Sequence, residues 1–179
     1  MEKHLDKAVF AGGCFWCTEA VFTRINGVEK VTSGYTGGFI KNPAYREVCN
    51  GTTGHAEGIQ IDFDKNKVSY TDLLEVFFAT HNPTTINRQG NDVGTQYRSA
   101  IFYTNEEQKN RAQAYIDLLD KENAFEDLIV TEIINFEVFY VAESNHQDYY
   151  DNNKEQPYCQ VMISPKIKKL KTHYTDKLK

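Results

Sequence analysis

The chain has 179 residues, 25 of them acidic and 20 basic, for a net charge of −5. That length suits one domain with an ordinary core, and the acidic balance argues against nucleic-acid binding through an overall basic field. No apolar run approaches the roughly 20 residues needed to span a bilayer, and Met1–Lys7 carries no apolar leader, so no membrane partner is expected.

Taken in chain order, Lys7–Ala11 reads as a strand that enters the glycine pair Gly12-Gly13. A helix over Cys14–Arg24 follows, with Cys14, Cys17 and Val21 on one face and Asn26-Gly27 as its stop. Glu29–Ser33 is a second strand, and a long glycine-rich loop runs from Gly34 to Gly54. Gly58–Phe63 alternates, with Ile59, Ile61 and Phe63 on one face. Tyr70–Thr80 is an apolar-faced helix ended by His81-Asn82-Pro83. A polar loop over Asn87–Tyr97 precedes a strand at Ser99–Tyr103. Thr104-Asn105-Glu106-Glu107 reads as a capping box opening a helix to about Lys121. Ile129–Ile134 and Val138–Val141 are strand-like, and Glu143–Tyr150 is a short helix. From Asn152 the tail is polar, with little periodicity before Val161-Met162-Ile163.

This order predicts an α+β fold: a two-layer sandwich with a mixed β-sheet, helices on one side and a βαββαβ (ferredoxin-like) core. A single domain over 1–179 is expected, with its core at about 7–150 and a long irregular tail over 151–179. The six lysines between Lys166 and Lys179 read as a solvated terminal face.

Three groups of residues carry chemistry. Cys14-Phe15-Trp16-Cys17 follows a glycine turn where a helix begins, so backbone N–H groups and the helix dipole favour an acidified thiol at Cys14. One helical turn brings Cys17 to the same face, as a redox pair requires. Glu57 shares the face of Ile59 and Ile61, so its carboxyl is drawn toward the core and its pKa raised. Tyr45, Asp92 and Tyr97 lie in the loops, where phenol O–H groups can donate to an oxygen gaining charge. Cys49 reads as a bystander thiol. Cys159 reads as a lone thiol on a mobile segment able to swing to Cys14, or as a surface cysteine. His55-Ala56-Glu57 with the cysteine pair also allows a zinc reading, and Cys-x-x-Cys alone allows a general dithiol–disulfide oxidoreductase. Four cysteines without a leader segment point to a reducing, cytoplasmic setting.

Six segments in order and spacing carry a more specific resemblance: Gly13-Cys14-Phe15-Trp16, Gly34-Tyr35-Thr36-Gly37-Gly38, Tyr45-Arg46-Glu47-Val48-Cys49, Thr53-Gly54-His55-Ala56-Glu57, Gly90-Asn91-Asp92 continuing to Gly94-Thr95-Gln96-Tyr97-Arg98-Ser99, and His146-Gln147-Asp148-Tyr149. From about Val9 to Cys159 the chain resembles the peptide methionine sulfoxide reductases of the A type, which repair one sulfoxide epimer. The resemblance implies Cys14 as nucleophile, Glu57 as the acid that protonates the sulfoxide oxygen, and Tyr45 and Tyr97 as phenols bonded to that oxygen. It implies Asp92 as a polar partner and Phe15 and Trp16 as the pocket for the substrate's S-methyl group. It further implies the S epimer as substrate, free or in proteins, a Cys14 sulfenic acid resolved by a second thiol, recycling by thioredoxin or another dithiol, no bound cofactor and no metal, and a monomer. Family members often have glycine where Cys17 stands; some resolve with a cysteine there and others with one in the tail, where Cys159 sits. Cys17, Cys159 or a relay through both therefore remain open as the resolving thiol.

Overall fold

The structure is a computed structural model and describes residues 5–179; residues 1–4, part of the stretch read as lacking a leader, lie outside it. Along the chain run β1 (Leu5–Ala11), α1 (Phe15–Phe22), β2 (Val28–Thr36), α2 (Tyr45–Cys49), β3 (Ala56–Asp64) and α3 (Tyr70–Ala79). A small hairpin of β4 (Arg88–Gln89) and β5 (Asp92–Val93) follows, then β6 (Ala100–Tyr103), α4 (Glu106–Lys121), β7 (Glu132–Asn135), β8 (Phe139–Val141), α5 (Tyr149–Asn152) and α6 (Ser164–His173). The main sheet has the order β7-β6-β1-β3-β2-β8. Its pairings are antiparallel except β6 with β7, so the sheet is mixed.

Period-two alternation divides the strands between two cores. Ala8, Phe10, Ile59, Ile61, Phe63 and Ile101 face the larger one, where Phe15 and Phe22 of α1, Leu73, Leu74 and Phe77 of α3, and Ala112 and Ile116 of α4 cover them. Val9, Ala11, Ala56, Ala100 and Phe102 face the other way and pack a smaller cluster with Ile134, Phe136 and Phe139. The helices therefore cover one face. Among the described residues no helix is long and apolar enough to cross a membrane.

Several boundaries differ from expectation for physical reasons. The strand expected over Glu29–Ser33 continues to Thr36, because Gly34, Tyr35 and Thr36 pair with Gly58, Glu57 and Ala56. The cap of α4 is Asn105, whose side chain accepts from the Gln108 N–H at 2.9 Å, while Gln108 accepts from the Thr104 N–H at 3.0 Å. The cap is thus one residue later than expected and is not a reciprocal box, since Gln108 reaches the residue before the cap; Asn caps better than Thr, and Gln108 Nε2 also donates to the Lys7 carbonyl at 2.7 Å. Residues 129–131 are not strand, since the Ile129 and Val130 N–H groups go to Asp120 and to the Pro83 carbonyl. The short helix expected over Glu143–Tyr150 is interrupted: Gln147 clamps the N–H and carbonyl of Ser33, and Asp148 is left-handed at φ 51°.

The largest correction concerns the tail. It is ordered, with a π-helical turn over Cys159–Ile163 running into α6, which starts with Pro165 in its first turn. Cys159, Ile163, Ile167 and Leu170 are buried in the main core. The chain end is also tied down: Ile25 bridges to Leu178, and Lys177 Nζ lies 2.9 Å from Asp72 Oδ1. The apolar spacing 163, 167, 170 marks one helix face, and the lysines occupy the others.

Leu170→Ala should therefore lower unfolding free energy by about 2–5 kcal/mol in denaturant titrations. Val161→Ala, at a position 69% exposed, should change it by less than about 0.5 kcal/mol.

Candidate active site

The site is built on the first turn of α1. β1 ends at Ala11, and the chain turns through Gly12 and Gly13. Gly13 has φ +86°, and a Cβ there would meet Gln89 Cγ at 2.6 Å; one on Gly12 would meet the Phe77 ring at 2.9 Å. Both positions therefore require glycine, one for its conformation and one for space. Cys14 is the N-cap, with ψ 128°, so the helix begins one residue later than the sequence suggests.

The first N–H groups of a helix have no partner within it. The Phe15 N–H donates to Glu57 Oε1 at 3.2 Å. The Cys14 side chain, at the cap, accepts no hydrogen bond from the first turn. Glu57, opposite Tyr35 in the β2–β3 ladder, is 1% exposed, and its Oε2 is buried with no hydrogen-bond partner among the described residues. Burial raises its pKa to about 8, against the lowering effect of the Phe15 N–H, with the charges of Asp92 and Cys17 adding to the rise. At pH 7 about nine in ten Glu57 side chains then carry a proton.

The cysteine pair departs from expectation. Burial pushes the Cys14 thiol well up, and its hydrogen bond to Cys17 and the Glu57 charge push the same way; the nearby Trp16 N–H only partly offsets them. Cys17 is the acidified member. Its pKa falls to about 7 because Cys14 hydrogen-bonds to it, with Lys166 and Tyr158 helping, against burial and the Asp92 charge. A helix N-terminus favours a thiolate, but desolvation and the neighbouring Glu57 charge keep the proton on Cys14.

Asp92, on β5, accepts from the Tyr158 hydroxyl at 2.7 Å, and the same hydroxyl lies 3.7 Å from Cys17 Sγ. Tyr97, in a 3₁₀ turn, lies where Glu57, Cys14 and Asp92 all raise its pKa after burial. Tyr45 opens α2; burial and a hydrogen bond to Cys49, then the Cys49 and Glu57 charges, hold its phenol protonated. Cys49, expected to be a bystander, thus supports Tyr45. The structure brings Cys14, Cys17, Glu57, Asp92, Tyr45 and Tyr97 into one cluster.

Aromatic rings wall this cluster. Phe15 is fully buried against Tyr35, Tyr45 and His146, with ring centroids 5.4–6.5 Å apart. Trp16 is half-buried, stacks on Tyr149 at 3.7 Å and donates from Nε1 to His146 Nδ1 at 3.1 Å. Glu19 holds that wall from behind: it is 3% exposed, accepts from Ser33 Oγ at 2.5 Å and from the Asp148 backbone, and burial raises its pKa to about 7. Sequence reading missed Glu19 and Tyr158. The contacts of Tyr158 span 141 and 66 residues, and Glu19 sits on a helix buried nearly all round.

Two expected roles are not supported by geometry. Cys159 is not a surface cysteine: it is fully buried at the start of the π-helical turn, and burial raises its pKa. His55 is occupied elsewhere: Nδ1 accepts from the Gly38 N–H at 3.0 Å and Nε2 lies 2.6 Å from the Ile40 carbonyl, holding the glycine loop. Among the described residues no group of three or more His, Cys, Asp or Glu side chains is placed to hold a metal ion.

Glu57 gives this geometry a measurable sign. Below pH 4.5 it is neutral folded and unfolded; between 4.5 and about 8 only the unfolded chain ionises it. The wild type should lose stability as pH rises through that window, by at most ~5 kcal/mol. Denaturant titrations of Glu57→Gln, which stays neutral, should lack that loss.

A sequence profile described as "Peptide methionine sulfoxide reductase" matches residues 6–178. The "Peptide methionine sulfoxide reductase MsrA" of Deinococcus radiodurans is 56% identical over 174 residues, 97% of this chain and 84% of that protein. Among solved structures, methionine sulfoxide reductase A of Corynebacterium diphtheriae superposes with a TM-score of 0.81 at 34% identity, over 86% of this chain and 77% of that one. Reduced Mxr1 of Saccharomyces cerevisiae gives 0.79 at 31% identity, over 87% and 89%. Mxr1 has also been solved in complex with Trx2; that form gives 0.56 at 20% identity, over 83% and 89%, a likeness of fold alone. With the match running through nearly every described residue, the chain belongs to the peptide methionine sulfoxide reductase family and is an oxidoreductase.

Proposed function

We propose that the chain reduces methionine-S-sulfoxide, free or in proteins, to methionine, through a Cys14 sulfenic acid and an intramolecular disulfide recycled by thioredoxin. The observation that carries this reading is the shared use of the first turn of α1 by a thiol and a neutral carboxylic acid with one unpartnered oxygen. A sulfoxide sulfur is a poor electrophile until its oxygen takes a proton. Glu57 supplies that proton, and the Tyr45 and Tyr97 hydroxyls donate to the oxygen as it gains charge. Phe15 and Trp16 hold the S-methyl group.

Cys14 attacks the sulfur as its own proton passes along the hydrogen bond to the Cys17 thiolate. Oxygen leaves the substrate with the Glu57 proton and ends on Cys14 as a sulfenic acid; methionine departs. Cys17 then attacks the Cys14 sulfur, forming the S–S bond and releasing water. Hydrogen bonding to Cys14 and acidity favour Cys17 over the buried Cys159 as the resolving thiol. The two residues stand at i and i+3 of one turn, a Cα separation within the range disulfides accept. An external dithiol, thioredoxin, reopens the bridge, a reading in line with the Trx2 complex of yeast Mxr1. No bound cofactor is needed, because the thiols carry both electrons. The reading places this chemistry on one cytoplasmic, monomeric domain with a βαββαβ (ferredoxin-like) core of β1, α1, β2, β3, α3 and β6.

NADPH oxidation coupled through thioredoxin tests the reading. With an S-sulfoxide substrate the wild type should turn over, Cys14→Ser should fall to background, and Glu57→Gln should drop about 10²–10⁴-fold. Cys17→Ser should release one methionine per chain and then stall, and peptide mapping of the wild type after one turnover should find Cys14 joined to Cys17. Full activity in Cys14→Ser would remove the nucleophile, and a Cys14–Cys159 bridge would remove Cys17 as resolver.

A further inference from the structure

We propose that Tyr158 is a positioning residue for disulfide closure: its hydroxyl holds the Cys17 sulfur beside Cys14 and ties that sulfur to Asp92. This rests on the reaction proposed above and deepens its second half.

The geometry is a chain of contacts. The Cys17 N–H donates to the Cys14 carbonyl at 3.1 Å, which puts both cysteines on one turn; Cys17 Sγ lies 3.7 Å from Tyr158 OH, and Tyr158 OH donates to Asp92 Oδ2 at 2.7 Å. The phenol carries one proton. While Cys17 is a thiol, that proton goes to Asp92 and the S–H turns to the phenol oxygen. Once Cys17 is a thiolate, the same proton is shared with sulfur. Tyr158 thus answers the charge that the resolving step needs.

The ring is held so that the hydroxyl stays put. It meets Trp16 edge-on at 5.8 Å and 81°. The next residue, Cys159, is fully buried and opens the π-helical turn, so the backbone beside the ring is packed into the core. The groups that set the charge on Cys17 come from several elements: Cys14 at the cap of α1, Tyr158 before the tail helix, Lys166 on α6 and Asp92 on β5. Of these, Asp92 opposes the thiolate. Tyr158 stands between that carboxylate and the sulfur and donates toward both.

The step balances without a further reactant. Cys17 sulfur attacks the sulfur of Cys14–S–OH; the S–S bond forms as the S–O bond breaks. The oxygen leaves as water with the proton Cys17 gives up, Cys17 is oxidised and the Cys14 sulfur is reduced.

Single-turnover kinetics of the full chain separate the two halves of the reaction. In Tyr158→Phe the ring remains against Trp16 and only the hydroxyl goes. At pH 8.5, where Cys17 is mostly ionised with or without the phenol, methionine should form within about twofold of the wild-type rate, which also reports an intact fold. Loss of the second thiol should slow about tenfold, as loss of a hydrogen bond to a sulfur that becomes charged implies. Dimedone should then capture more Cys14 sulfenic acid. Iodoacetamide labelling of Cys17, followed by mass spectrometry across pH, should show its midpoint rising by about one unit. Unchanged closure and labelling with normal methionine release would overturn the proposal, and so would equal slowing of both steps, which packing alone explains. If the wild type forms no methionine, the reaction reading itself fails and this proposal with it.

Discussion

The Phe15 N–H at the first turn of α1 has no partner inside the helix, and the fold gives it to the Glu57 carboxyl, which is thereby held at the helix start that Cys14 caps. Much else follows from that arrangement. It needs Gly13 in a left-handed turn so that Cys14 lands on the cap. It needs β2 to run on to Thr36, so that Glu57 sits in a complete ladder rather than at a frayed strand end. It needs α1 buried around nearly its whole circumference, since a wet first turn would give that N–H to solvent.

Burial then sorts the protons. A carboxyl that accepts a backbone N–H would ordinarily be ionised, yet desolvation outweighs the hydrogen bond and holds Glu57 near 8. The same desolvation keeps Cys14 protonated and leaves the lower pKa to Cys17, nearer Lys166 and Tyr158. The simple expectation of a thiolate at the helix start is therefore displaced by one turn. This division suits the chemistry. A sulfur held as a thiol is protected from oxidation, since the thiolate is the reactive form.

Much of this was legible in the residues themselves. Strand parity put Glu57 with Ile59 and Ile61, and the Cys-x-x-Cys spacing put both sulfurs on one turn; both are local rules that tertiary packing had no reason to override. The alternating runs likewise marked the central strands. What was hidden depended on partners far along the chain. Tyr158 meets Cys17 across 141 residues and Asp92 across 66, and no spacing rule joins them. Glu19 reads as one charged residue in an apolar helix, and only its contacts with Ser33 and Asp148 show why it is tolerated inside. The tail was misread for another reason: its apolar positions are few and its lysines many, so composition masked a helical face at 163, 167 and 170.

That face is what makes the tail part of the site. Ile163, Ile167 and Leu170 fix α6 on the core, and Tyr150 bonds Ser164 at 2.9 Å, tying α6 to the segment that stacks Tyr149 on Trp16. The π-helical turn before α6 presents Tyr158 to Cys17 and Lys166 to the same sulfur while burying Cys159. A helix a hundred and more residues from the cysteine pair thus sets the charge on one of them.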